Sequence, residues 1–359
     1  PLEYPLHCRR NHYYSVYCAD DFEVHHGAFE GHRFLFSSGS QSLMLDDVTF
    51  SGAGDEQRYA VDVKCSFTCS FNDVTITNAS KAIQLTGAGP FDFERLEITS
   101  SGRGIDVVGD SILTLTDSNI EAEESALDSQ GASTSIENSI FELLSNSRAV
   151  SLVQGSHEWD GVTIQKQYSS QDHTSTGLYI WYSIMESSAL TLSGWSNGIT
   201  AQSTDMDFSD VSITQGVDVG LDAENSKITI QDLVTQSADT GIEFDGYGPL
   251  QIVNWTAEVH QTPLLLENNA LANIRSFRPI NTAPSAADAM GDGTLYYGSN
   301  LNPTVATTAS HELIETPVTF TDLIGEPIEA TIVVHGFEMK SNANGAANLP
   351  LVSSGSVTE

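Results

Sequence analysis

Basic residues are scarce in this chain. It contains 14 Lys and Arg against 48 Asp and Glu among 359 residues, which gives a formal net charge of −34. Charged residues make up 17% of the chain, below the roughly 25% of an ordinary domain, so the imbalance comes mainly from missing Lys and Arg. A surface of this charge repels nucleic acid and anionic membranes. We therefore expect no nucleic acid partner.

Long apolar runs are also absent. No run approaches the roughly 18 residues that a membrane-spanning helix needs, so the sequence predicts no membrane span. No signal-peptide pattern is visible, and the sequence begins with Pro1 rather than Met. We expect a mature or excised portion of a longer protein.

Cysteines are few and lie near one end, at Cys8, Cys18, Cys65 and Cys69. An even, clustered set predicts two disulfides and an oxidising compartment, hence an extracellular or cell-surface location. The first two cysteines lie among several histidines, so a zinc site is the alternative there.

The last two cysteines are four residues apart. In an extended strand their Cα atoms would stand roughly 13 Å apart, beyond the limit of a disulfide. Cys65 and Cys69 can therefore bond only if the chain bends between Ser66 and Thr68. Otherwise each pairs with Cys8 or Cys18.

Helical periodicity is missing, and a repeat of about 22 residues takes its place. A small residue followed by alternating apolar positions recurs as AVDV at 60, AIQL at 82, GIDV at 104, ALDS at 126, AVSL at 149, GLYI at 177, GITA at 198, GLDA at 220, GIEF at 241 and LLLE at 264. A second phrase follows most copies, as in FNDVTI at 71 and FSDVSI at 208. Both phrases alternate with a period of two, which indicates strands.

These phrases resemble those of right-handed parallel β-helix proteins of the PbH1 repeat type, from Phe34 to about Phe277. The resemblance implies an all-β fold: a right-handed parallel β-helix solenoid of about ten coils, in which each coil packs on its neighbours. A horseshoe of leucine-rich repeats has a similar period and is the competing fold. Its L-x-x-L-x-L-x-x-N phrase is not the one repeated here.

The ends of the chain depart from the repeat. We predict an N-terminal cap with the cysteines over 1–33, the β-helix over 34–277, a linker or C-terminal cap over 278–311 and a small β-sandwich-like module over 312–359. In the last segment two strand-like runs flank LIGEP, and Asn344-Gly345 is a turn signal. It resembles Ig-like or carboxypeptidase-regulatory-like modules, and at this length it would be incomplete.

The residue two positions after each small residue should face outward, and it is acidic in several copies. Neighbouring coils stand about 4.8 Å apart, so Asp106 and Asp128 should be adjacent carboxylates. Such a pair can share a proton, hold a calcium ion, or act as acid and base on a glycosidic bond. These two are the candidate catalytic and calcium-binding residues. The alternative is a solvated acidic surface.

Aromatic residues crowd one copy of the repeat, at Tyr179, Trp181 and Tyr182. Aromatic rings on a solenoid surface can stack on sugar rings, whereas the alternative is that they pack beneath the loop at 166–175. The candidate ligand-binding residues are Asp62, Asp106, Asp128, Tyr179, Trp181 and Tyr182.

The fold alone does not define an activity, because parallel β-helices include lyases, hydrolases, esterases, adhesins and tailspikes. Polygalacturonases resemble this fold and use clustered Asp residues, but their Asn-Thr-Asp, Gly-Asp-Asp, Gly-His-Gly and Arg-Ile-Lys motifs are not in this sequence. The sequence favours an extracellular or cell-surface module with a structural, adhesive or carbohydrate-binding role. A polysaccharide lyase or glycoside hydrolase is the alternative. The expected partners are a polysaccharide, a cell-surface glycan or further copies of the chain, with calcium as the candidate cofactor.

Overall fold

The computed structural model describes residues 9–10, 15–17, 21–30, 33–38, 42–52, 59–167, 174–215, 218–280, 289–291, 293–299, 309–322, 324–334 and 337–352. No helix occurs among these residues, so none that could cross a membrane is found there either. The strands are β1 (Arg9–Arg10), β2 (Ser15–Tyr17), β3 (Phe22–Glu30), β4 (Phe34–Ser38), β5 (Leu43–Ser51), β6 (Val61–Cys65), β7 (Cys69–Thr77), β8 (Lys81–Thr86), β9 (Pro90–Glu94), β10 (Glu97–Val108), β11 (Ile112–Thr116), β12 (Asn119–Gln130), β13 (Ser133–Glu137), β14 (Ile140–Leu143), β15 (Arg148–Asp160), β16 (Val162–Lys166), β17 (Thr176–Ser187), β18 (Leu190–Ser193), β19 (Asn197–Gln202), β20 (Asp205–Thr214), β21 (Val219–Glu224), β22 (Lys227–Asp245), β23 (Pro249–Glu267), β24 (Leu271–Pro279), β25 (Ala289–Gly291), β26 (Thr294–Ser299), β27 (Ala309–Thr319), β28 (Thr331–Val334), β29 (Phe337–Lys340) and β30 (Ala346–Val352).

The strands form a parallel β-solenoid of about 11 turns, in agreement with the predicted β-helix. Each strand pairs with the corresponding strand of the next turn, so three parallel sheets run along the molecule. Sheet I contains the first phrase of the repeat, in β4, β6, β8, β19 and β21 and in parts of β10, β12, β15, β17, β22 and β23. Sheet II contains β9, β11 and β13 and parts of β7, β15, β17, β20, β22 and β23. Sheet III contains β14, β16 and β18 and parts of β7, β10, β12, β20, β22 and β23. The second phrase runs from sheet II into sheet III.

The apolar residue of the first phrase forms one continuous column inside the solenoid. Val61, Ile83, Ile105, Leu127 and Val150 are paired in register, and each is at most 1% exposed. Identical positions stack because a parallel register places each side chain directly over its counterpart in the next turn. The leucine-rich horseshoe is therefore wrong for this chain.

Several corners between sheets II and III have a residue in the left-handed conformation. Left-handed φ values of 52°, 51°, 56° and 62° are found at Asp47, Asp73, Arg95 and Gly161. Asp232 and Asn254, at the equivalent positions, do not have a left-handed φ, and Asn254 Nδ2 donates a hydrogen bond of 2.9 Å to Asp232 Oδ1. Side chains bridge neighbouring turns at corners of both kinds, since Arg95 Nε also donates a hydrogen bond of 2.6 Å to Asp73 Oδ1.

Cys65 and Cys69 form a disulfide with a Cα–Cα distance of 6.6 Å. The chain bends at Ser66 and Phe67 between β6 and β7, which brings the two Cα atoms within bonding range. The alternative pairing of these two with Cys8 or Cys18 is therefore wrong. Cys8 and Cys18 lie outside the described residues, so their disulfide stays a prediction.

Parallel pairing reaches toward both ends of the chain. β3 pairs with β5 near the N-terminus, and β26 pairs with the first residues of β27 near the C-terminus. β27 then pairs antiparallel with β30, while β28 and β29 form a separate antiparallel pair. These small sheets occupy the predicted C-terminal module, whose resemblance to Ig-like modules, like the division into four segments, stays a prediction.

Candidate functional site

The outer surface of sheet I carries the candidate residues in one column. We call this the central column; in register, it consists of Asp62, Gln84, Asp106, Asp128, Ser151, Tyr179, Thr200, Asp222 and Glu243. The repeat predicted this arrangement because side chains alternate between the two faces of a strand. Four of the six predicted ligand-binding residues therefore share one column.

A second column stands three residues earlier in each strand. It carries positive charge at Lys81, Arg103 and Arg148 and is uncharged at Ser125, which lies between the two arginines, and at Thr176 and Asn197 further along. We call Lys81, Arg103 and Arg148 the basic column. The chain has only 14 Lys and Arg in all. Three of them therefore lie in a single column beside the central column.

Tyr59 covers the middle of this surface. Its hydroxyl donates a hydrogen bond to Asp106 Oδ2, two turns away, and the Nζ atom of Lys81 lies 5.4 Å from its ring centroid. As a result Asp106 is 7% exposed and Tyr59 is 8% exposed. The sequence placed Asp106 correctly on the outer face but did not reveal this cover.

The carboxylate of Asp106 is held from two sides. Besides the Tyr59 hydroxyl, Arg103 Nη1 lies 3.5 Å from Asp106 Oδ2. The other oxygen, Oδ1, is buried and has no hydrogen-bond partner among the described residues. Burial and the neighbouring Asp106 carboxylate raise the pKa of Tyr59, so Tyr59 keeps its proton at neutral pH and is a poor general base.

Asp128 occupies the adjacent position and has a different environment. It is half-buried, and burial, followed by the negative charge of Asp106, raises its pKa. Gln130 Nε2 is 3.5 Å from Asp128 Oδ1. The pair therefore consists of one carboxylate tied to Tyr59 and Arg103 and a second one whose pKa is raised by burial and by its neighbour.

The residues present fit calcium poorly. In the described part of the chain, no group of three or more His, Cys, Asp or Glu side chains could hold a metal ion. Calcium needs six to eight oxygen ligands, whereas Asp106 and Asp128 supply only two carboxylates and Arg103 places a positive charge beside them. Calcium binding at this pair stays a prediction without support from the geometry.

The aromatic residues divide between the surface and a corner. Tyr179 stands in the central column, with the guanidinium carbon of Arg148 3.7 Å from its ring centroid. Trp181 stands two residues further on the same surface, in register with Val153 and Gln202. Tyr182 has a φ of 49° and is 57% exposed, so it marks the corner toward sheet II.

The loop predicted to cover the aromatic residues includes 168–173, which lie outside the described residues. Its described end Lys166 is 9% exposed, with Nζ 3.2 Å from Ser175 Oγ. Strand β17 begins just after it at Thr176, which pairs with Arg148. The chain thus enters sheet I beside Arg148 and Tyr179 after the loop at 166–175, and the packing of the aromatic residues beneath that loop stays a prediction.

Beyond Tyr179 the surface becomes acidic. Asp222 and Glu243 are paired in register, and for each of them burial, followed by nearby carboxylates, raises the pKa. Glu224 and Asp245 stand beside them in the next outward position. The outer face of sheet I therefore has a mixed-charge half and an acidic half, with Tyr179 between them.

Sequence reasoning missed Tyr59 and did not include the basic column among the candidate residues. The signal for the basic column was in the sequence, because Lys81, Arg103 and Arg148 each precede a repeat phrase by one residue. No comparable signal marks Tyr59, since its bond to Asp106 spans two turns of the solenoid.

No protein-family model matches the chain, and no curated protein matches it either. Among solved structures, the chain is similar to one described as a PL6 alginate lyase in complex with a trisaccharide, with a TM-score of 0.31 and 11% sequence identity over 91% of this chain and 86% of that one. Because similarity at this level identifies no equivalent residues, the functional argument rests on the surface of sheet I itself.

Proposed function

We propose that the outer face of sheet I binds a polysaccharide chain that lies along the central column. The observation that carries this proposal is the in-register column itself, in which Asp128 and Tyr179, both half-buried, stand beside the exposed Arg148. Sugar rings stack on aromatic faces, and their hydroxyls pair with carboxylates and guanidinium groups. A polysaccharide repeats its sugar unit along its length, and it therefore suits a surface whose strands repeat about every 4.8 Å.

Binding to a panel of neutral and acidic polysaccharides, with and without calcium, tests this proposal. Removing the ring in Tyr179→Leu should weaken binding at least several-fold. Tyr247→Leu is the matched control, because Tyr247 is 82% exposed and lies outside the central column. If no polysaccharide binds, or if both variants bind as the wild type does, the proposal is wrong.

A glycoside hydrolase is the second candidate. The specific observation in its favour is that Asp128, with its raised pKa, stands in register with Asp106. A carboxyl group with a raised pKa suits the role of general acid. Release of reducing ends that is lost in Asp128→Asn would establish hydrolysis. A lyase would release unsaturated products and needs a base, which Tyr59 serves poorly while it holds its proton.

An extracellular or cell-surface location and a structural or adhesive role are part of the same proposal. The Cys65–Cys69 disulfide supports them, because such bonds persist in oxidising compartments. Fractionation of the source cells, with detection of the protein at the surface or in the medium, tests the location. Cross-linking and light scattering test assembly with further copies of the chain.

A further inference from the structure

Arg148 differs from the two other arginines of this surface. Arg33 forms an ion pair with Asp62, and Arg103 lies 3.2 Å from a carboxylate oxygen of Glu124. Among the described residues, no carboxylate lies within ion-pair distance of Arg148, and its side chain is exposed. Its positive charge is therefore available to a ligand.

Tyr179 holds this guanidinium in a fixed position. The 3.7 Å distance between Arg148 Cζ and the ring centroid shows that the guanidinium lies against the ring face. Stacking of this kind restricts the side chain while leaving the N–H groups at the edge of the plane free to donate. Less conformational entropy is then lost when a ligand binds.

We propose that Arg148, stacked on Tyr179, binds a carboxylate or sulfate group carried by the polysaccharide. This inference rests on the proposed function and specifies the class of ligand. The fork of guanidinium N–H donors matches two oxygens of a carboxylate or a sulfate ester.

The net negative charge of the protein disfavours a ligand that carries many anionic groups. A net charge of −34 repels a polyanion at long range, and beyond Tyr179 the central column is acidic at Asp222 and Glu243. Recognition by the single stacked Arg148 needs only one anionic group in the segment of polysaccharide that lies on this surface.

The test compares three probes at about 0.15 M NaCl, where long-range repulsion is screened: polygalacturonate, the same polymer after its carboxyl groups have been reduced to alcohols, and a sulfated galactan. We expect the wild type to bind polygalacturonate, the sulfated galactan or both about tenfold more tightly than the reduced polymer. The two acidic probes decide between carboxylate and sulfate.

Variants then assign the effect to Arg148. Arg148→Gln should remove the preference for the acidic polymer, and Arg148→Lys should restore only part of it, because lysine keeps the charge but not the stacked fork. Lys227→Gln is the control: it makes the same change in charge at an exposed ion pair with Asp205 on sheet II. Thermal unfolding of each variant checks that it is folded.

The outcomes separate the two proposals. If the reduced polymer binds as tightly as the acidic ones, polysaccharide binding stands and the role of Arg148 is wrong. The role is equally wrong if Arg148→Gln keeps the preference for the acidic polymer. If none of the probes, and no polysaccharide of the panel, binds the wild type, both proposals fail.

Discussion

A buried histidine shows how a single residue depends on its place in the solenoid. His157 is 2% exposed and stacks between Thr134 and Met185 of the neighbouring turns. Its Nδ1 lies 3.0 Å from Thr134 Oγ1, which also accepts a hydrogen bond of 2.9 Å from Trp159 Nε1. Among the described residues, its Nε2 has no partner. Burial lowers the pKa of His157 from 6.5 to about 4.

This pKa predicts loss of stability in acid. Above pH 6.5 the imidazole is neutral in both the folded and the unfolded chain, so the stability is fully present. As the pH falls toward 4, the unfolded chain takes up a proton that the folded one does not, which removes about 3 kcal/mol from the free energy of unfolding.

Urea unfolding of the wild type and His157→Gln between pH 8 and pH 4 measures this effect. Titration of the surface carboxylates contributes to both proteins and cancels in the difference between them. We expect the stability of the wild type relative to the variant to fall by about 3 kcal/mol over this range. A difference that stays constant with pH would show that His157 does not contribute.

At the scale of single elements, the disulfide fixes the turn between β6 and β7. The bond joins residues four apart in sequence, and closing so short a loop should stabilise the fold by about 2 kcal/mol. Both cysteines are fully buried, so the bond lies inside the solenoid rather than at its surface. The turn is thus held by a covalent bond as well as by backbone pairing.

Reduction should therefore lower the free energy of unfolding of the wild type by about 2 kcal/mol more than that of the Cys65→Ala/Cys69→Ala variant. The variant retains Cys8 and Cys18, so it corrects for any effect of the reductant on them. Urea unfolding with and without reductant gives both values. Equal losses in the two proteins would mean that the Cys65–Cys69 bond adds no stability.

The small residue that begins each repeat is required by the packing of neighbouring strands. A Cβ atom on Gly220 would stand 2.6 Å from the carbonyl oxygen of Gly241 and 3.2 Å from Thr235 Cγ2. The neighbouring turn must shift to admit it. We expect Gly220→Ala to cost about 1–3 kcal/mol in the free energy of unfolding, measured in urea. An unchanged or higher stability would show that the turns can separate freely at this point.

At the scale of the whole molecule, stacked carboxylates oppose folding. Parallel stacking repeats like charges at the spacing of the turns, as at Asp222 and Glu243, where burial and neighbouring carboxylates raise both pKa values. With a net charge of −34, self-repulsion in the folded state exceeds that in the expanded unfolded chain.

Salt should therefore stabilise the protein. Raising NaCl from about 0.01 M to about 0.15 M shortens the screening length from about 30 Å to about 8 Å, and we expect Tm to rise in calorimetric scans. Glu243→Gln should raise Tm at low salt and reduce the salt dependence, because it removes one of the two paired charges. A Tm that falls with salt in the wild type would contradict this account.

The sequence by itself determined the architecture and the sidedness of the repeat. A period of about 22 residues with alternating apolar positions favours strands stacked turn on turn, so Ile105 and Leu127 lie inside and Asp106 and Asp128 face outward. The same rule placed Tyr179 in the column of Asp128. These features follow from local periodicity, which is present in the sequence of each turn.

Only the tertiary structure decided which of these outward residues a ligand can reach. Tyr59 and Asp106 are 47 residues apart in sequence but only two turns apart in the solenoid. The Tyr59 side chain spans those two turns and reaches the Asp106 carboxylate. Arg148 reaches Tyr179 across one turn in the same way. Such contacts depend on side-chain rotamers and on which partner competes successfully for each charge, and neither is encoded in the period of the sequence.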